Sequence, residues 1–365
     1  MSFRSGFVSI IGRPNAGKST LLNALVGEKL AIVTHKPQTT RNRITGIVNI
    51  KKQGRRQPGQ IVFVDTPGVH KPNDALNKRM MKEVEDALVG CDLLLLMIDV
   101  SQKFGTGDEF VLELVKRTKT KAFLVLNKID LIEKGKLLPM IEQYSELHTF
   151  DEVIPISAEK KQGLDDLLTA VVNALPEGPK YFPEDQVTDQ PERFVVAELI
   201  REQVLINTKE EVPYATGVIV ERFEEMPKLV KIAAAIHVER ESQKGIVIGK
   251  QGAMLKHIGT RARLEIERFL AKKVFLELFV KVREGWRGSA RAVEETLDWR
   301  KQLEGLTTKD SSKLPVAICQ FNPHRKSFLT ESSGRWSLCL GTGNWELATA
   351  YSFTAIPNAF IFRYI

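Results

Sequence analysis

The segment "GRPNAGKST", residues 12–20, carries residue types at a spacing that binds phosphate. Gly12, Gly17, Lys18 and Ser19 fit G-x-x-x-x-G-K-[ST], with the apolar run "FVSII" before them and the helical pattern "TLLNALVG" after them, which is the context that this motif requires. In such a loop backbone N–H groups surround phosphate oxygens, the lysine reaches the β- and γ-phosphates, and the hydroxyl ligates Mg²⁺. The segment therefore predicts a site for a nucleoside triphosphate and its magnesium ion.

Three later segments stand where apolar runs end: "DTPG" at 65–68, "NKID" at 127–130 and "ISA" at 156–158. An aspartate at the position of Asp65 normally holds Mg²⁺, often through a water, and the N–H of Gly68 can contact the γ-phosphate. The first of these segments therefore predicts the metal end of the site.

The other two segments predict the base. Asp130 would accept hydrogen bonds from N1–H and the 2-amino group of guanine, donors that adenine lacks, and a buried carboxylate left unpaired is costly. Asn127 would brace the loops beside the base, the Lys128 stem would lie over its face, and an N–H near Ala158 would meet guanine O6. Guanine is therefore the expected base.

A layered sheet is needed to bring these segments together. The apolar runs "FVSII", "IVFVD", "DLLLLMIDV", "KAFLVLN" and "EVIPIS" are typical of strands buried on both faces, and they alternate with amphipathic stretches such as "LNKRMMKEVEDALVG" and "GLDDLLTAVVNAL". This pattern predicts a three-layer α/β domain with a mostly parallel sheet over residues 1–175. Ligands of such sheets gather at the carboxyl ends of the strands.

The four segments in this order resemble P-loop GTPases of the translation-factor-like branch. The resemblance implies that "THKPQTTRNRITG", residues 34–46, is the first switch segment, in which Thr40 is the preferred and Thr39 the alternative threonine that senses the γ-phosphate through Mg²⁺. Val69 stands where a Ras-like enzyme has a water-orienting glutamine, so hydrolysis is expected to be slow or to use another device. Within this branch an asparagine at the position of Asn15 is associated with a bound K⁺, which makes K⁺ a candidate cofactor.

The expected functional residues form three groups. Nucleotide binding is assigned to Gly12, Asn15, Ala16, Gly17, Lys18, Ser19, Thr20, Asp65, Thr66, Pro67, Gly68, Asn127, Lys128, Asp130, Ser157 and Ala158. The catalytic candidates are Lys18, Thr40, Asp65 and Gly68, and the metal ligands are Ser19, Thr40 and Asp65.

Composition changes after the first domain. "PEGPKYFPEDQVTDQPE" holds four prolines and no apolar period, and it predicts a linker over residues 176–191. Then follow a helix ("FVVAELIREQVLIN"), two strands ("YATGVIVERFE" and "KLVKIAAAIHVER"), a glycine loop, a helix to Leu270 and a strand ("VFLELFVKV"). This order predicts a small α+β domain over residues 192–300.

The glycine loop "IGKQG", residues 248–252, has the G-x-x-G form that lets a nucleic-acid backbone approach closely. The form alone is weak evidence, because "GWRG" at 285–288 repeats it and is expected to be a plain turn. The residues 250–273 add weight, since they contain seven Lys or Arg against two Glu. The predicted RNA contacts are Ile248, Gly249, Lys250, Gln251, Gly252, Lys256, Arg261 and Arg263.

The glycine loop has the form of a turn that joins two helices, and the resulting order, helix–strand–strand–helix–GxxG–helix–strand, is similar to the type II KH fold. Together with the GTPase half it resembles the Era family of bacterial ribosome-assembly GTPases over about residues 6–286. The resemblance implies an α/β P-loop GTPase domain followed by an α+β type II KH domain, a monomer that binds GTP or GDP with Mg²⁺ and hydrolyses GTP. It also implies GTP-regulated binding of the 3′ end of 16S ribosomal RNA, a role in 30S subunit maturation and loose association with the inner membrane surface.

The remaining features of the sequence concern the cellular location of the protein and a tail to which no role is assigned. The formal net charge of +8 favours an acidic partner, no apolar run is long enough to span a bilayer, the N-terminus lacks a signal-peptide pattern, and three cysteines show no metal spacing. A cytoplasmic protein is therefore expected. The tail, residues 301–365, departs from the family, and a fusion, a reading-frame slip and a disordered extension all stay open as explanations.

Two other classes of protein stay open. One is a membrane-associated trafficking or cell-division GTPase whose basic face meets anionic lipid. The other is a constitutive RNA-binding protein whose nucleotide site is structural. Basic residues around the glycine loop favour RNA over lipid, and the complete motif set favours nucleotide turnover.

Overall fold

The computed structural model describes residues 2–69 and 74–297, together with the backbone of 327–332 and 335–340. Residues 1–302 form one compact unit and residues 303–365 a second. In the part of the chain described, no helix is both long and apolar enough to cross a membrane.

The first sheet has six strands in the order β2-β3-β1-β4-β5-β6. The pairs β1–β3, β1–β4, β4–β5 and β5–β6 are parallel, and β2–β3 is antiparallel. The strands are β1 (Arg4–Gly12), β2 (Ile44–Ile50), β3 (Gly59–Asp65), β4 (Leu93–Asp99), β5 (Ala122–Asn127) and β6 (Glu152–Pro155).

Helices cover both faces of this sheet. They are α1 (Lys18–Val26), α2 (Ala75–Leu88), α3 (Thr106–Lys116), α4 (Leu137–Leu147) and α5 (Leu164–Ala174). Leu21 of α1 and Val171 of α5 belong to one core cluster, whereas Val84 of α2, Val111 of α3 and Tyr144 of α4 belong to another. Successive strand residues point to opposite faces, so each apolar run feeds both cores. The three-layer prediction is confirmed.

Strand β2 was not among the predicted strands. Its sequence, "ITGIVNI", overlaps the predicted switch segment, and it pairs with β3 at the edge of the sheet. An edge strand next to a polar loop carries a weaker apolar signal than the central strands, which is why the sequence did not reveal it.

The predicted linker lies along this edge strand. The N–H of Ile47 donates to the carbonyl of Val187 (2.8 Å), and Thr188 Oγ1 donates to the carbonyl of Thr45 (2.6 Å). The segment is thus pinned to the first domain over much of its length.

Gln60 of β3 anchors the start of the same segment. Its Oε1 accepts from the N–H groups of Tyr181 (2.8 Å) and Phe182 (2.9 Å), and its Nε2 donates to the Phe182 carbonyl and to Asn49 Oδ1, both at 2.9 Å. The side chain is fully buried and its hydrogen-bonding capacity is complete.

The second sheet has the order β7-β8-β9, antiparallel and then parallel. Its elements are α6 (Glu192–Asn207), α7 (Val212–Ala215), β7 (Gly217–Glu225), β8 (Leu229–Val238), α8 (Glu241–Ile248), α9 (Ala253–Leu270) and β9 (Lys273–Val282). Apart from the one-turn helix α7, this is the predicted element order, with the glycine loop between α8 and α9.

The segment after β9 returns to the first domain. "GWRG" does form a short 3-10 turn, Trp286–Gly288, but the Trp286 side chain is fully buried, and α10 (Ala290–Leu297) follows. Trp286 and Val293 share a core cluster with Leu76 and Met80 of α2. The prediction of a plain turn therefore missed a packing residue.

In the second unit, β10 (Ser327–Ser332) and β11 (Arg335–Leu340) form an antiparallel pair with Ser327 opposite Leu340. The sequence did not predict these strands. The rest of the predicted tail lies outside the described residues.

We expect Gln60→Leu to lower the free energy of unfolding by about 2–4 kcal/mol, because two buried N–H groups and a carbonyl lose their partner. Urea unfolding followed by circular dichroism measures this. Gln53→Leu, the same change at an exposed hairpin position, should shift stability by no more than about 0.5 kcal/mol. Equal effects of the two changes would show that Gln60 does not anchor the linker.

Candidate nucleotide site and nucleic-acid interface

The phosphate loop joins β1 to α1 in a conformation that its glycines permit. Gly17 has φ +100°, and an added Cβ there would collide with the Asn127 amide; at Gly12 it would collide with the Met97 carbonyl. Helix α1 begins at Lys18, so its N-terminal N–H groups face the loop, as an anion site requires.

Lys18 is buried inside this loop. Its Nζ donates to the carbonyls of Gly12 and Arg13, both at 3.0 Å. Burial lowers the pKa of Lys18 to about 8, and the negative charge of Asp65 opposes that shift. The cation is thus held where a phosphate would replace weak carbonyl partners by a full opposite charge.

Three oxygen-bearing side chains meet beside the loop. Ser19 Oγ lies 2.6 Å from Asp65 Oδ2 and 2.8 Å from Thr40 Oγ1. Asp65 is fully buried and its Oδ1 has no hydrogen-bond partner in the described part of the chain. These residues come from α1, the end of β3 and the segment before β2.

The arrangement fits Mg²⁺. Burial raises the pKa of Asp65 to about 6, against the opposing effects of Lys18 and the Ser19 hydrogen bond, and a divalent cation at the unpartnered oxygen would favour the charged carboxylate. Hard oxygen ligands, one or two of them carboxylates, together with substrate phosphates, are what Mg²⁺ takes in nucleotide sites. No cluster of three or more His, Cys, Asp or Glu that could hold a metal occurs among the described residues.

The structure separates the two candidate threonines. Thr39 Oγ1 lies 2.6 Å from Thr34 Oγ1 and donates to the Lys36 carbonyl (2.6 Å), so its hydroxyl is engaged within its own loop. Only the Thr40 hydroxyl reaches Ser19. The geometry therefore favours Thr40 over Thr39.

The "DTPG" segment packs against the phosphate loop. An added Cβ at Gly68 would lie 2.8 Å from Pro14 Cα, and the Val69 N–H donates to the Gly12 carbonyl (3.2 Å). Thr66 Oγ1 donates to the Ile10 carbonyl of β1 (2.8 Å), so this hydroxyl stabilises the fold. Pro67 lies between Thr66 and Gly68. The Val69 side chain is buried in the core beside α2 and cannot face an attacking water.

The base end is organised by Asn127. Its Nδ2 donates to the Ala16 carbonyl (2.8 Å) and its Oδ1 accepts from the Ala158 N–H (2.9 Å), so one side chain joins the phosphate loop to the loop that follows β6. The Ala158 N–H, expected at guanine O6, therefore already has a partner in the protein. Ser157 is buried, its Oγ accepts from the Lys160 N–H (3.1 Å), and Thr20 lies half-buried in α1.

Asp130 differs from the expectation of a buried carboxylate. It lies exposed in the 3-10 turn Ile129–Leu131, and it makes no hydrogen bond or ion pair within the described residues. A bound base would itself have to bury this group, so the cost of leaving it unpaired arises only in the complex. Lys128, with φ +67°, is held by an ion pair of 2.6 Å to Asp99.

A cavity of about 370 Å³ lies between these loops. Of the predicted residues, Asn15 and Lys128 line it. Sequence reasoning missed several of its other walls, which are Arg13, Pro14, His35, Met97, Asp99, Gln102 and Asp108. Arg13 and Asp108 form an ion pair of 2.7 Å across 95 residues of sequence, a pairing that carries no local signal.

The second glycine loop depends on its glycines in two ways. Gly249 has φ +70°, and an added Cβ would lie 2.6 Å from Met254 Cβ. Gly252 has φ +79° with open space around it, and Gln251 also adopts a positive φ of 51°. The loop thus exposes backbone to solvent between α8 and α9, with Ile248 half-buried and Ile246 half-exposed beside it.

The basic residues of this region fall into two sets. Arg263, Arg268, Lys272 and Lys273 have acidic partners: Glu267, Glu265, Glu225 and again Glu267. Lys250, Lys256 and Arg261 are exposed and have no ion pair within the described residues. Of this unpaired set, Lys250 lies in the glycine loop, Lys256 in the first turn of α9 and Arg261 near the middle of α9.

Comparison with known proteins supports the prediction of a GTPase half and a KH half. A family model described as a 50S ribosome-binding GTPase matches residues 7–128, and a KH-domain model matches residues 211–287. GTPase Era of Geobacter metallireducens is 53% identical over 296 residues, which cover 80% of this chain and 97% of that protein. The chain belongs to the Era family of GTPases. Era of Syntrophus aciditrophicus is 51% identical over 295 residues, covering 80% and 94%.

A crystal structure of Era in complex with MgGDPNP and nucleotides 1506–1542 of 16S ribosomal RNA has a TM-score of 0.77 and 39% identity to this chain, covering 80% of it and 98% of that chain. Family membership confirms the predicted fold class, a P-loop GTPase domain followed by a KH domain, and the predicted activity, hydrolysis of GTP. The individual nucleotide and RNA contacts stay predictions.

Asp130→Asn should lower GDP affinity about a hundredfold and raise that for xanthosine diphosphate, because the amide can donate to the 2-oxo group of xanthine but repels the 2-amino group of guanine. Calorimetric titration with GDP, XDP and ADP measures this. Asp166→Asn, a matched change at an exposed position of α5, should leave all three affinities unaltered. Unaltered base preference in the Asp130 variant would contradict its assigned role.

Proposed function

We propose that this Era GTPase is a GTP-driven switch that binds the 3′ end of 16S ribosomal RNA through its KH domain and acts in assembly and maturation of the 30S subunit. The observation that carries the RNA part is the unpaired basic set Lys250, Lys256 and Arg261 beside an exposed glycine loop. The related structure with bound 16S ribosomal RNA nucleotides supports the choice of RNA. We assign the GTPase domain to residues 1–175, the linker to 176–191 and the KH domain to 192–300.

In the nucleotide half, the phosphate loop and Lys18 would hold the β- and γ-phosphates, and Ser19, Thr40 and Asp65 would hold Mg²⁺. The bound Mg²⁺ would neutralise charge that develops on the phosphate oxygens. Because Lys18 is already desolvated, its ion pair with a phosphate would be stronger than the same pair in water. The Gly68 N–H, fixed against Pro14, would contact the γ-phosphate.

Hydrolysis must proceed without a glutamine at position 69. Because the Val69 side chain is buried in the core, the water would have to be oriented by other groups or by charge at the phosphate loop. We propose that K⁺ supplies such charge near Asn15. Asn15 lies at the cavity, has φ +63° and donates from Nδ2 to the His35 carbonyl (2.8 Å), so it already connects the phosphate loop to the switch side of the site.

In the RNA half, the exposed loop at Gly249–Gly252 would admit the sugar–phosphate backbone, with Gln251 beside it. Lys250, Lys256 and Arg261 would contact phosphates, and Ile246 and Ile248 would offer apolar surface to unpaired bases. Arg263 was also predicted to contact RNA. It forms an ion pair of 3.4 Å with Glu267, which makes it a weaker candidate for a phosphate contact than the three unpaired residues.

Three further statements stay predictions: a cytoplasmic location, expected from composition and motifs, and peripheral association with the inner membrane surface and a monomeric state, both drawn from the family resemblance. A trafficking GTPase on anionic lipid would use the same basic surface, and binding to anionic vesicles but not to RNA would favour it. A constitutive RNA-binding protein would bind RNA equally well with GTP or GDP.

The triple change Lys250→Ala, Lys256→Ala and Arg261→Ala should weaken binding of a 16S 3′-end oligonucleotide at least tenfold. It should also reduce the slope of log affinity against log salt concentration by about 2 to 3, since each phosphate contact releases a counterion. Fluorescence anisotropy at several salt concentrations measures this. The matched triple Arg268→Ala, Lys272→Ala and Lys273→Ala, which removes paired charges, should have a much smaller effect. Equal losses would place the interface elsewhere.

The same assay tests the switch. RNA affinity should differ between the protein loaded with a non-hydrolysable GTP analogue and with GDP, because a ligand shifts an equilibrium only through differential affinity. Equal affinities would contradict a nucleotide-controlled RNA clamp while leaving RNA binding itself intact.

GTP hydrolysis should be roughly tenfold or more faster in K⁺ than in Na⁺ at equal ionic strength, because an added fixed charge at the phosphates stabilises the transition state. Phosphate release under single-turnover conditions measures the rate. Asn15→Ala should bring the two rates together, whereas Asn173→Ala, on the far side of the domain in α5, should not. Equal rates in K⁺ and Na⁺ for the unaltered protein would rule the ion out.

A further inference from the structure

Thr40 is followed by a side chain that is buried in the KH half. Arg41 is 1% exposed, and its guanidinium donates to the carbonyls of Thr216 (2.6 Å), Tyr214 (2.8 Å) and Pro213 (3.3 Å). These carbonyls belong to α7 and the residue after it, on the way into β7. Removing any of these bonds would leave buried polar groups unpaired.

Trp286 completes this pocket. Its ring centroid lies 5.9 Å from the Arg41 guanidinium carbon, and its Nε1 donates to the Ala215 carbonyl (2.9 Å). Burial lowers the pKa of Arg41 to about 9, with the positive charge of Arg201 adding to the shift. A carbonyl cluster and an aromatic face thus stabilise a guanidinium far from bulk water.

Thr40 is preceded by a backbone that is also tied to the KH half. The Thr39 carbonyl accepts from Nη2 of Arg201, a residue of α6 that is 1% exposed. Glu198, one turn earlier in α6, holds the Arg201 guanidinium by two hydrogen bonds of 2.8 and 2.6 Å. The Arg201 N–H that donates to the Thr39 carbonyl is therefore held in a fixed direction by Glu198.

Three other residues of the connection between α1 and β2 contact α6 or the residue that follows it. Lys36 Nζ donates to the carbonyls of Leu205 and Thr208, and Glu202 accepts from the Val33 N–H (3.1 Å) and pairs with Lys29 (2.6 Å). This connection has no helix or strand of its own between Val26 and Ile44. The first domain holds part of it, since Asn23 Oδ1 accepts from the Ala31 N–H (2.9 Å) and Asn15 donates to the His35 carbonyl, but the Thr39 carbonyl and the Arg41 side chain are held by the KH half.

We propose that Arg201 and Arg41 are positioning residues for GTP hydrolysis, which place the Thr40 hydroxyl beside Ser19 and Asp65 by fixing the backbone on both sides of it. The KH domain then acts in cis as part of the GTPase site. Any partner that displaces α6 or α7 alters GTP affinity and turnover without touching the nucleotide. The inference rests on the proposed role of Thr40 as the γ-phosphate sensor.

The proposal makes a prediction that general packing does not. Thr40 acts on the triphosphate state, whereas the phosphate loop and the base loops also bind GDP. Loss of positioning should therefore weaken GTP binding selectively, whereas loss of structure weakens both nucleotides. The ratio of the two affinities separates the cases.

The test uses full-length protein with Arg201→Lys, Arg41→Lys, and the double change Arg201→Met with Glu198→Leu, which removes the buried pair together and leaves no unpaired charge. Affinities for a fluorescent non-hydrolysable GTP analogue and for GDP, together with kcat and KM, are measured beside thermal unfolding. Thr40→Ala serves as the reference. Arg193→Lys is the matched control, because Arg193 lies in the same helix but donates to the Phe223 carbonyl (3.2 Å).

We expect the double variant to lose about tenfold in affinity for the GTP analogue, the usual effect of removing one charge-assisted hydrogen bond, with GDP affinity in all three variants within about twofold of the unaltered protein. The lysine variants should lose less than the double variant, since an ammonium restores one donor. In a folded variant, an unchanged affinity ratio or an equal loss for both nucleotides overturns the proposal. If Thr40→Ala also leaves the ratio unchanged, the proposed γ-phosphate role fails with it; if Thr40→Ala lowers the ratio, only the positioning role fails.

Discussion

The hydroxyl of Ser19 stands within hydrogen-bond distance of both Asp65 and Thr40, and the nucleotide site depends on that junction. It joins the start of α1, the carboxyl end of β3 and the connection that leads into β2. Each of these parts has its own support in the fold, yet only their meeting produces a set of hard oxygens around an unpartnered carboxylate atom. A shift of any one part by an ångström would separate the three proposed Mg²⁺ ligands.

The sheet fixes two of the three parts rigidly. Residues of β1 and β3 pair in parallel register, with Ile10 opposite Asp65, so the phosphate loop and the "DTPG" segment leave the sheet at the same edge. Asn127 then ties the phosphate loop to the loops at the base end. The third part, the connection carrying Thr40, is held from both sides: Asn15 and Asn23 contact its His35 and Ala31, whereas the Thr39 carbonyl and the Arg41 side chain are held by the KH domain.

The sequence was most informative where the signal is local. Gly12 to Ser19, Asp65 and Asn127 stand at strand ends that apolar runs reveal, and the parallel sheet brings those ends together without further information. Arg41 and Arg201 gave no such signal, because their partners lie 175 and 162 residues away and an arginine in a polar loop or an amphipathic helix is ordinary. Trp286 was read as part of a turn, since "GWRG" has turn residues on both sides. The exposure of Asp130 and the pinning of the linker by Gln60 are likewise tertiary facts that residue types alone do not encode.

Burying Arg41 and Arg201 near each other is costly, because their charges repel and Arg287 adds a third positive charge, opposed by Glu198 and, more weakly, by Asp74. Backbone carbonyls and the Trp286 face supply the rest, and the partners of Arg41 are positioned only when α7 and the turn at Trp286 are both in place. A lysine would concentrate the charge and could not span three carbonyls, so the planar guanidinium is the chemical group that suits the pocket. A contact built this way is favourable over a narrow range of geometries. It therefore couples the two halves more sharply than apolar packing of the same area would, because a small displacement strands a charge instead of merely loosening a contact.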